Sequence, residues 1–216
     1  MHSTINTSRP FPESVTPKRN LRWRVVDIVV ASVLGVAAGV IFWAWGLAWG
    51  PLSAALAFSP GLGGLLAGGW LFAGVLGGLV IRKPGAAIYT ELVAAAVSAL
   101  IGTVWGFETL IWGLVQGIGA EIVFALFFYA NWRIGVALLA GATTGLAVGL
   151  LDTTFTSYAA LDVAAKTTYV VSAIVSGVVL AGLLSWLAVR GLAATGALSR
   201  FASGRQARTV PDTSGR

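Results

Sequence analysis

Gln116 and Glu121 lie inside "TLIWGLVQGIGAEIVFALFF" (109–128), a stretch long and oily enough to cross a bilayer. A carboxylate at the centre of such a segment costs about 3 kcal/mol unless it faces the protein interior or a cavity. At about 100° per residue, Gly113, Gly117 and Ala120 form a stripe of small residues flanked by Gln116 and Glu121. Ile111, Leu114, Val115, Ile118, Ile122 and Leu126 fill the opposite arc. Two chemistries fit: interhelical hydrogen bonding, or a polar ligand site built into a helix bundle. The second is favoured, because a carboxylate is costlier than helix packing requires. Glu91 repeats the pattern on the face of Ala87, Ala94, Ala95 and Ser98. For Glu91 an ion pair with Arg82, Lys83 or Arg133 is an equal alternative.

A second set of candidates gathers in the segments that join the apolar runs. Trp43, Trp45 and Trp49 end the first run; Trp105, Glu108 and Trp112 introduce the 109–128 stretch. Asp152, Tyr158, Asp162 and Tyr169 surround a later connection. Any one of these aromatics fits an interfacial belt. Together, acids among aromatic faces point to a pocket for a flat cationic ligand, which rings stack on and acids neutralise. Other chemistries lack their residues. The chain has no Cys, and its one His, His2, lies in a polar terminal segment, so neither a His/Cys metal site nor a catalytic His is expected. There is no P-loop, no nucleophile elbow and no H-E-x-x-H. No catalytic residues, metal or resident cofactor are therefore expected, and the chain is read as a non-enzyme.

The elements that must position these residues follow from composition. The 216 residues are 57% hydrophobic and 10% charged, with a mean hydropathy of +0.86, which indicates an all-α membrane protein. Apolar runs and breakers predict six transmembrane helices: Val25–Trp45, Leu62–Ile81, Ala86–Ile101, 109–128, Ile134–Leu151 and Thr167–Val189. Pro51 and Pro60 break the first connection and "RKPG" (82–85) the second. Residues 1–24 are expected to form a mobile tail, 25–190 the membrane domain and 191–216 a basic tail. Lys and Arg fall almost wholly on one side of this arrangement, Lys166 being the exception, which places both termini in the cytoplasm. The same juxtamembrane placement assigns the +6 net charge to lipid headgroups rather than nucleic acid. Ala31, Gly35 and Gly39 repeat at four-residue spacing, a groove for a partner helix, internal or foreign.

"RKPGAA" (82–87) followed by Glu91, "VQGIGAE" (115–121) and "SYAA" (157–160) together resemble the YkoE family, over roughly residues 22–198. Its members are substrate-binding S components of energy-coupling-factor (ECF) vitamin transporters, associated with thiamine and its hydroxymethylpyrimidine precursor. The resemblance implies a six-helix S-component bundle in the bacterial plasma membrane. It implies capture of thiamine or hydroxymethylpyrimidine in a pocket open to the outside. It also implies ATP-driven uptake with a transmembrane T component and two cytoplasmic ATPases. Docking of the T component maps onto Ala31, Gly35 and Gly39. Glu91, Gln116, Glu121, Asp152 and Tyr158 match the family's pattern. With the ligand's chemistry added, Glu121 and Gln116 are expected to hold its polar edge, Asp152 to neutralise charge near the mouth, and Trp43, Trp112 and Tyr158 to form walls. An S component for another small ring vitamin and a non-transport membrane assembly protein are the alternatives.

Overall fold

In hydrocarbon no water satisfies the backbone, so an apolar run must close its own hydrogen bonds as helix. The computed structural model describes residues 21–199, 201, 203 and 204, and among them every regular element is helical. The bulk of the expected N-terminal tail (1–20) and the end of the C-terminal one (205–216) lie outside the described residues. Five apolar rods are long enough to cross a membrane: Val25–Ala55, Pro60–Ile81, Gly106–Leu126, Ile134–Phe155 and Val163–Ala194. The sixth, α3 (Ala86–Ile101), has 16 residues, about 24 Å of rise.

Helix α1 spans Val25–Ala55 and runs past the expected end at Trp45, with Pro51 inside it. A proline so near a helix end removes a single intrahelical bond and leaves the preceding turns intact. The second rod opens as a 3-10 helix over Pro60–Trp70 and only then becomes α2, Phe72–Ile81. Its Gly-rich opening packs along α6 (Val163–Ser176). A Cβ at Gly61 would stand 2.6 Å from Thr168 Cβ, so the close approach requires glycine. Arg82 (φ 59°) and Gly85 (φ 82°) take left-handed conformations and reverse the chain at "RKPG". Helices α4 (Thr109–Leu126) and α5 (Ile134–Phe155) follow, α5 extending four residues beyond the expected Leu151. The last rod starts earlier than expected, at α6, passes through a π-helical stretch at Gly177–Leu183, and ends as α7, Leu184–Ala194. Beyond it Leu198 and Phe201 are buried in the main hydrophobic cluster.

The faces of α4 fall as its periodicity predicts. Ile111, Leu114, Ile118, Ile122 and Leu126 are exposed, whereas Gly113, Gln116, Gly117, Ala120 and Glu121 are buried. An exposed greasy arc beside a buried polar one is the signature of a lipid-facing helix.

The small-residue stripe of α1 is a different matter. Ala31, Gly35 and Gly39 are buried, and α1 uses them against α3. A Cβ at Gly35 would lie 2.7 Å from Val93 Cβ, and one at Gly39 2.6 Å from Val97 Cβ and 2.7 Å from Ala94 O. The groove is filled by this chain's own helix, which corrects the expectation that Ala31, Gly35 and Gly39 meet a T component.

At the end where α1 begins, an ion pair ties it to the turn that precedes α3. Asp27 is fully buried and accepts from the Arg24 guanidinium at 2.8 Å and from the Lys83 ammonium. Lys83 also donates to Arg22 O, and the Trp23 indole donates to Pro84 O at 2.9 Å. The hydrogen bond to Asp27 is the main cause that raises the Arg24 pKa above its usual value.

Candidate ligand-binding site

A cavity of about 430 Å³ opens at the end of the bundle where α1, α3 and α5 finish and α4 and α6 start. Rods that alternate in direction bring every second connection to one end. That places Trp49 of α1, Trp70 of the second rod, Trp105 and Glu108 before α4, and Trp112 and Gln116 on α4 around one space. Asp152 on α5, Tyr158 in the 3-10 turn Ser157–Ala160, and Tyr169 on α6 complete it.

Tryptophans dominate one wall. Trp70 lies edge-on to Trp105 with centroids 5.1 Å apart, and Trp49 packs against both, at 5.5 Å from Trp70 and 6.0 Å from Trp105. The Trp70 indole donates to Phe42 O at 3.1 Å, which fixes its ring plane. Tyr158 and Tyr169 stack at 4.3 Å on the opposite side. Burial, and then the nearby Asp152 charge, push the Tyr158 phenol up from its ordinary pKa, so it stays a neutral donor.

Two polar assemblies hold the cavity's shape. Asp152 accepts from the Trp112 indole through Oδ1 and from the Tyr169 hydroxyl through Oδ2, both at 2.7 Å. Each carboxylate oxygen keeps a second lone pair, so Asp152 orients two rings and still accepts from a third group. Behind the cavity, Glu91 is 1% exposed and its Oε2 accepts from the Gly74 backbone N–H. Gln116 turns its amide nitrogen toward Glu91 Oε1 (2.9 Å) and Trp70 O (3.1 Å); the reverse orientation would set its oxygen against acceptors. With both N–H groups engaged, the amide oxygen of Gln116 remains as an acceptor beside the cavity.

The structure thus brings four of the expected site residues, Gln116, Asp152, Tyr158 and Trp112, to one space. Glu91 stands one layer back and reaches the cavity through Gln116; its partners are Gly74 and Gln116 rather than Arg82, Lys83 or Arg133. Glu121 is elsewhere, at the opposite end of the bundle. Its Oε1 accepts from Gly85 N (2.6 Å) and Tyr129 OH (2.8 Å), and its Oε2 from Ala87 N (3.0 Å). It satisfies orphan amides at the start of α3, where a negative charge also complements the helix dipole. The expectation that Glu121 holds a ligand's polar edge is therefore corrected: five residues past Gln116 on an α-helix is about 7.5 Å further along the axis. Trp43 is corrected too. Phe42 and Trp49, seven residues apart on one face of α1, line the cavity, and Trp43, about 100° round the helix from Phe42, is not among its lining residues.

Residues the candidate set omitted are Trp49, Trp105, Glu108 and Tyr169, already visible as a cluster in the connections, and Trp70. Trp70 sits within a run read as one continuous helix, and the glycine pair before it, "AGGWLF" (67–72), does not single it out in a chain with 28 glycines.

Known proteins resemble this chain in sequence and fold. A family model described as "ABC-type cobalt transport system, permease component" matches residues 26–147. A Bacillus subtilis (strain 168) protein that carries the name HMP/thiamine permease protein YkoE is 33% identical over 187 residues, covering 85% of this chain and 92% of the relative. The crystal structure of an S-component of an ECF transporter superposes with a TM-score of 0.81 at 32% identity, covering 86% of this chain and 93% of that one.

Proposed function

Because the chain belongs to the YkoE family of ECF-transporter S components, we propose that it captures thiamine or its hydroxymethylpyrimidine moiety in the aromatic cavity. It is a multi-pass membrane protein of vitamin-permease type. The observation that carries the ligand reading is one cavity where Trp49, Trp70, Trp105 and Trp112 surround the carboxylates of Asp152 and Glu108 and the amide of Gln116. A thiazolium is a permanent cation on a flat ring, which indole faces and nearby carboxylates attract. An aminopyrimidine offers an exocyclic amine, for which the Gln116 oxygen and Asp152 are acceptors. Glu91 acts through Gln116, as a positioning residue. A cavity of about 430 Å³ also falls within the range that small-molecule sites occupy.

The cavity end carries Glu108, Asp162 and Lys166, whereas the opposite end carries Arg22, Arg24, Arg82, Lys83, Arg133 and Arg190. Positive residues favour the cytoplasm, so on this reading the cavity opens outward and the basic end of the described bundle faces the cytoplasm across a bacterial plasma membrane. On the same family reading, uptake draws on ATP hydrolysis by two cytoplasmic ATPases coupled through a T component. With the Ala31/Gly35/Gly39 stripe filled by α3, T-component contact on α1 falls to its outer side, where Val29, Val33, Val36 and Val40 are exposed.

The test is calorimetric titration of the protein in nanodiscs with thiamine and with hydroxymethylpyrimidine, alongside mass spectrometry of copurifying ligands. Binding of either compound with quenching of tryptophan fluorescence is expected. Heat and quenching from neither, with a ring compound of another class copurifying, would overturn the assignment of ligand.

A further inference from the structure

Buried polar side chains in an oily bundle are expected to be spent on the chain itself. Among the described residues, the buried side-chain oxygens without a hydrogen-bond partner are Ser98 Oγ, Thr103 Oγ1 and Thr109 Oγ1. All three belong to one short segment: the end of α3, the connection after it and the first residue of α4. Of the three, Thr109 lines the aromatic cavity. We propose that the Thr109 hydroxyl holds the primary alcohol on the hydroxyethyl arm of thiamine, and so makes the cavity prefer thiamine to hydroxymethylpyrimidine. This rests on the capture reading above and adds to it the residue that tells the two ligands apart.

Three observations lead there. First, Thr109 is unlike its kind in this chain. Apart from Thr103 and Thr109, every described threonine donates its hydroxyl to a backbone carbonyl three or four residues earlier, as Thr90 does to Ala86 O and Thr153 to Gly149 O. Thr109 opens α4, and the residues before it form the 3-10 turn Gly106–Glu108, so no preceding α-helical turn offers it that carbonyl. Its oxygen lies covered, yet rotation about χ1 exchanges oxygen and methyl group, and no hydrogen bond of the chain opposes that turn. Second, Thr109 stands at the right distance from Gln116. Both line the cavity, seven residues apart on one face of α4, which is about 10 Å along the axis. Thr109 is at the end where the cavity opens and Gln116 is deeper. With the aminopyrimidine edge on the Gln116 oxygen, the thiazolium passes the Trp112 ring and its hydroxyethyl arm extends to Thr109. Hydroxymethylpyrimidine is a single ring and does not span that distance. Third, an alcohol finds both halves of its hydrogen bonding there. The Thr109 hydroxyl donates to the alcohol oxygen, and the carboxylate of Glu108, the preceding residue and also in the lining, accepts from the alcohol O–H.

Calorimetry on the full chain in nanodiscs tests this with thiamine, with hydroxymethylpyrimidine, and with a thiamine analogue that has hydrogen in place of the alcohol. Thr109→Val keeps the side-chain shape and removes the hydroxyl. It should weaken thiamine about five- to tenfold, the worth of one hydrogen bond, and leave hydroxymethylpyrimidine unchanged. The analogue should bind the wild-type protein about as weakly as thiamine binds the variant, and its affinity should be the same for both proteins; such a cycle isolates the pair of hydroxyls. Thr109→Ser keeps the hydroxyl and should retain most of the thiamine affinity. Comparing thiamine with the analogue on the wild-type protein needs no variant, and decides the matter if Thr109→Val fails to fold. Equal wild-type affinity for thiamine and the analogue, or an equal loss for thiamine and hydroxymethylpyrimidine in Thr109→Val, would overturn the alcohol contact and leave capture standing. Unchanged thiamine affinity in Thr109→Val would overturn it as well, the result expected if Thr109 meets water alone. Binding of neither natural ligand by the wild-type protein would instead remove the capture reading, and the alcohol contact with it.

Discussion

The two ends of the bundle use the same kinds of side chain for opposite purposes. At the basic end every buried carboxylate is closed off by neighbours of its own chain. Asp27 is clamped between Arg24 and Lys83, and Glu121 accepts from two backbone amides and a tyrosine hydroxyl. At the aromatic end the polar groups are held on one side and open on the other. Asp152 steers Trp112 and Tyr169 yet keeps acceptor capacity, and Gln116 is pinned by Glu91 with its oxygen left over. A buried acid is thus no marker of a ligand site by itself. The discriminating property is whether its hydrogen-bonding capacity is exhausted by the fold.

The largest expected effect lies at the closed end. Asp27→Ala leaves Lys83, itself buried, without its carboxylate, and loss of one partner of a buried pair costs about 3–5 kcal/mol. Unfolding followed in detergent should show this loss, while the fraction that remains folded should bind thiamine with unchanged affinity. A parallel loss of affinity would mean that the two ends are not separate systems.

At the open end the largest effect should come from Gln116→Leu. It removes the acceptor assigned to the aminopyrimidine and leaves Glu91 Oε1 without its donor. Thiamine affinity should fall by about 1–3 kcal/mol, the cost of leaving a buried donor without its acceptor. Glu91→Gln sharpens the point: its amide oxygen can still accept from Gln116, although its nitrogen then meets the Gly74 N–H donor to donor, so the affinity loss should be smaller than that of Gln116→Leu and accompanied by a loss of stability. Calorimetry on both variants checks the order, and an equal or larger loss for Glu91→Gln would make Glu91 a direct contact.

How far these roles are readable from sequence depends on the kind of signal. Helix existence and facing are readable, because lipid imposes both: the exposed arc Ile111, Leu114, Ile118, Ile122 and buried arc Gly113, Gln116, Gly117, Ala120 of α4 follow from periodicity alone. The turn at "RKPG" is readable from Pro84 and Gly85. Depth along a helix is readable only from residue count, and there the pairing of Gln116 with Glu121 fails: both face inward, at opposite halves of the membrane. The stripe Ala31, Gly35, Gly39 announces a close helix contact correctly but not whose helix it is, since small residues admit either partner. Trp70 is hidden because nothing local shows that Pro60–Trp70 winds as a 3-10 helix; that winding comes with tertiary contact to α6.

Trp105→Ala should have a moderate effect that depends on the ligand's charge. Trp105 packs on Trp49 and Trp70 at the cavity wall, where a cation–π contact is worth about 0.5–2 kcal/mol. Hydroxymethylpyrimidine lacks the thiazolium, so its affinity should fall less than that of thiamine. Equal losses, measured by calorimetry on the same preparation, would assign Trp105 to packing or to the pyrimidine side.

The smallest effect separates the two ends most cleanly. Glu121→Gln keeps an oxygen able to accept from Gly85 N and Tyr129 OH, but its amide nitrogen meets the Ala87 N–H donor to donor. The start of α3 also loses a negative charge that its dipole favours. Stability should fall by only about 1 kcal/mol, seen as a modest drop in unfolding temperature, with thiamine affinity unchanged. Glu121 has three donors of its own chain and no place at the cavity, so its charge reaches the ligand only along the length of the bundle. An affinity loss as large as that of Gln116→Leu would show instead that the closed end and the open end are coupled, and that the start of α3 shifts when the cavity fills.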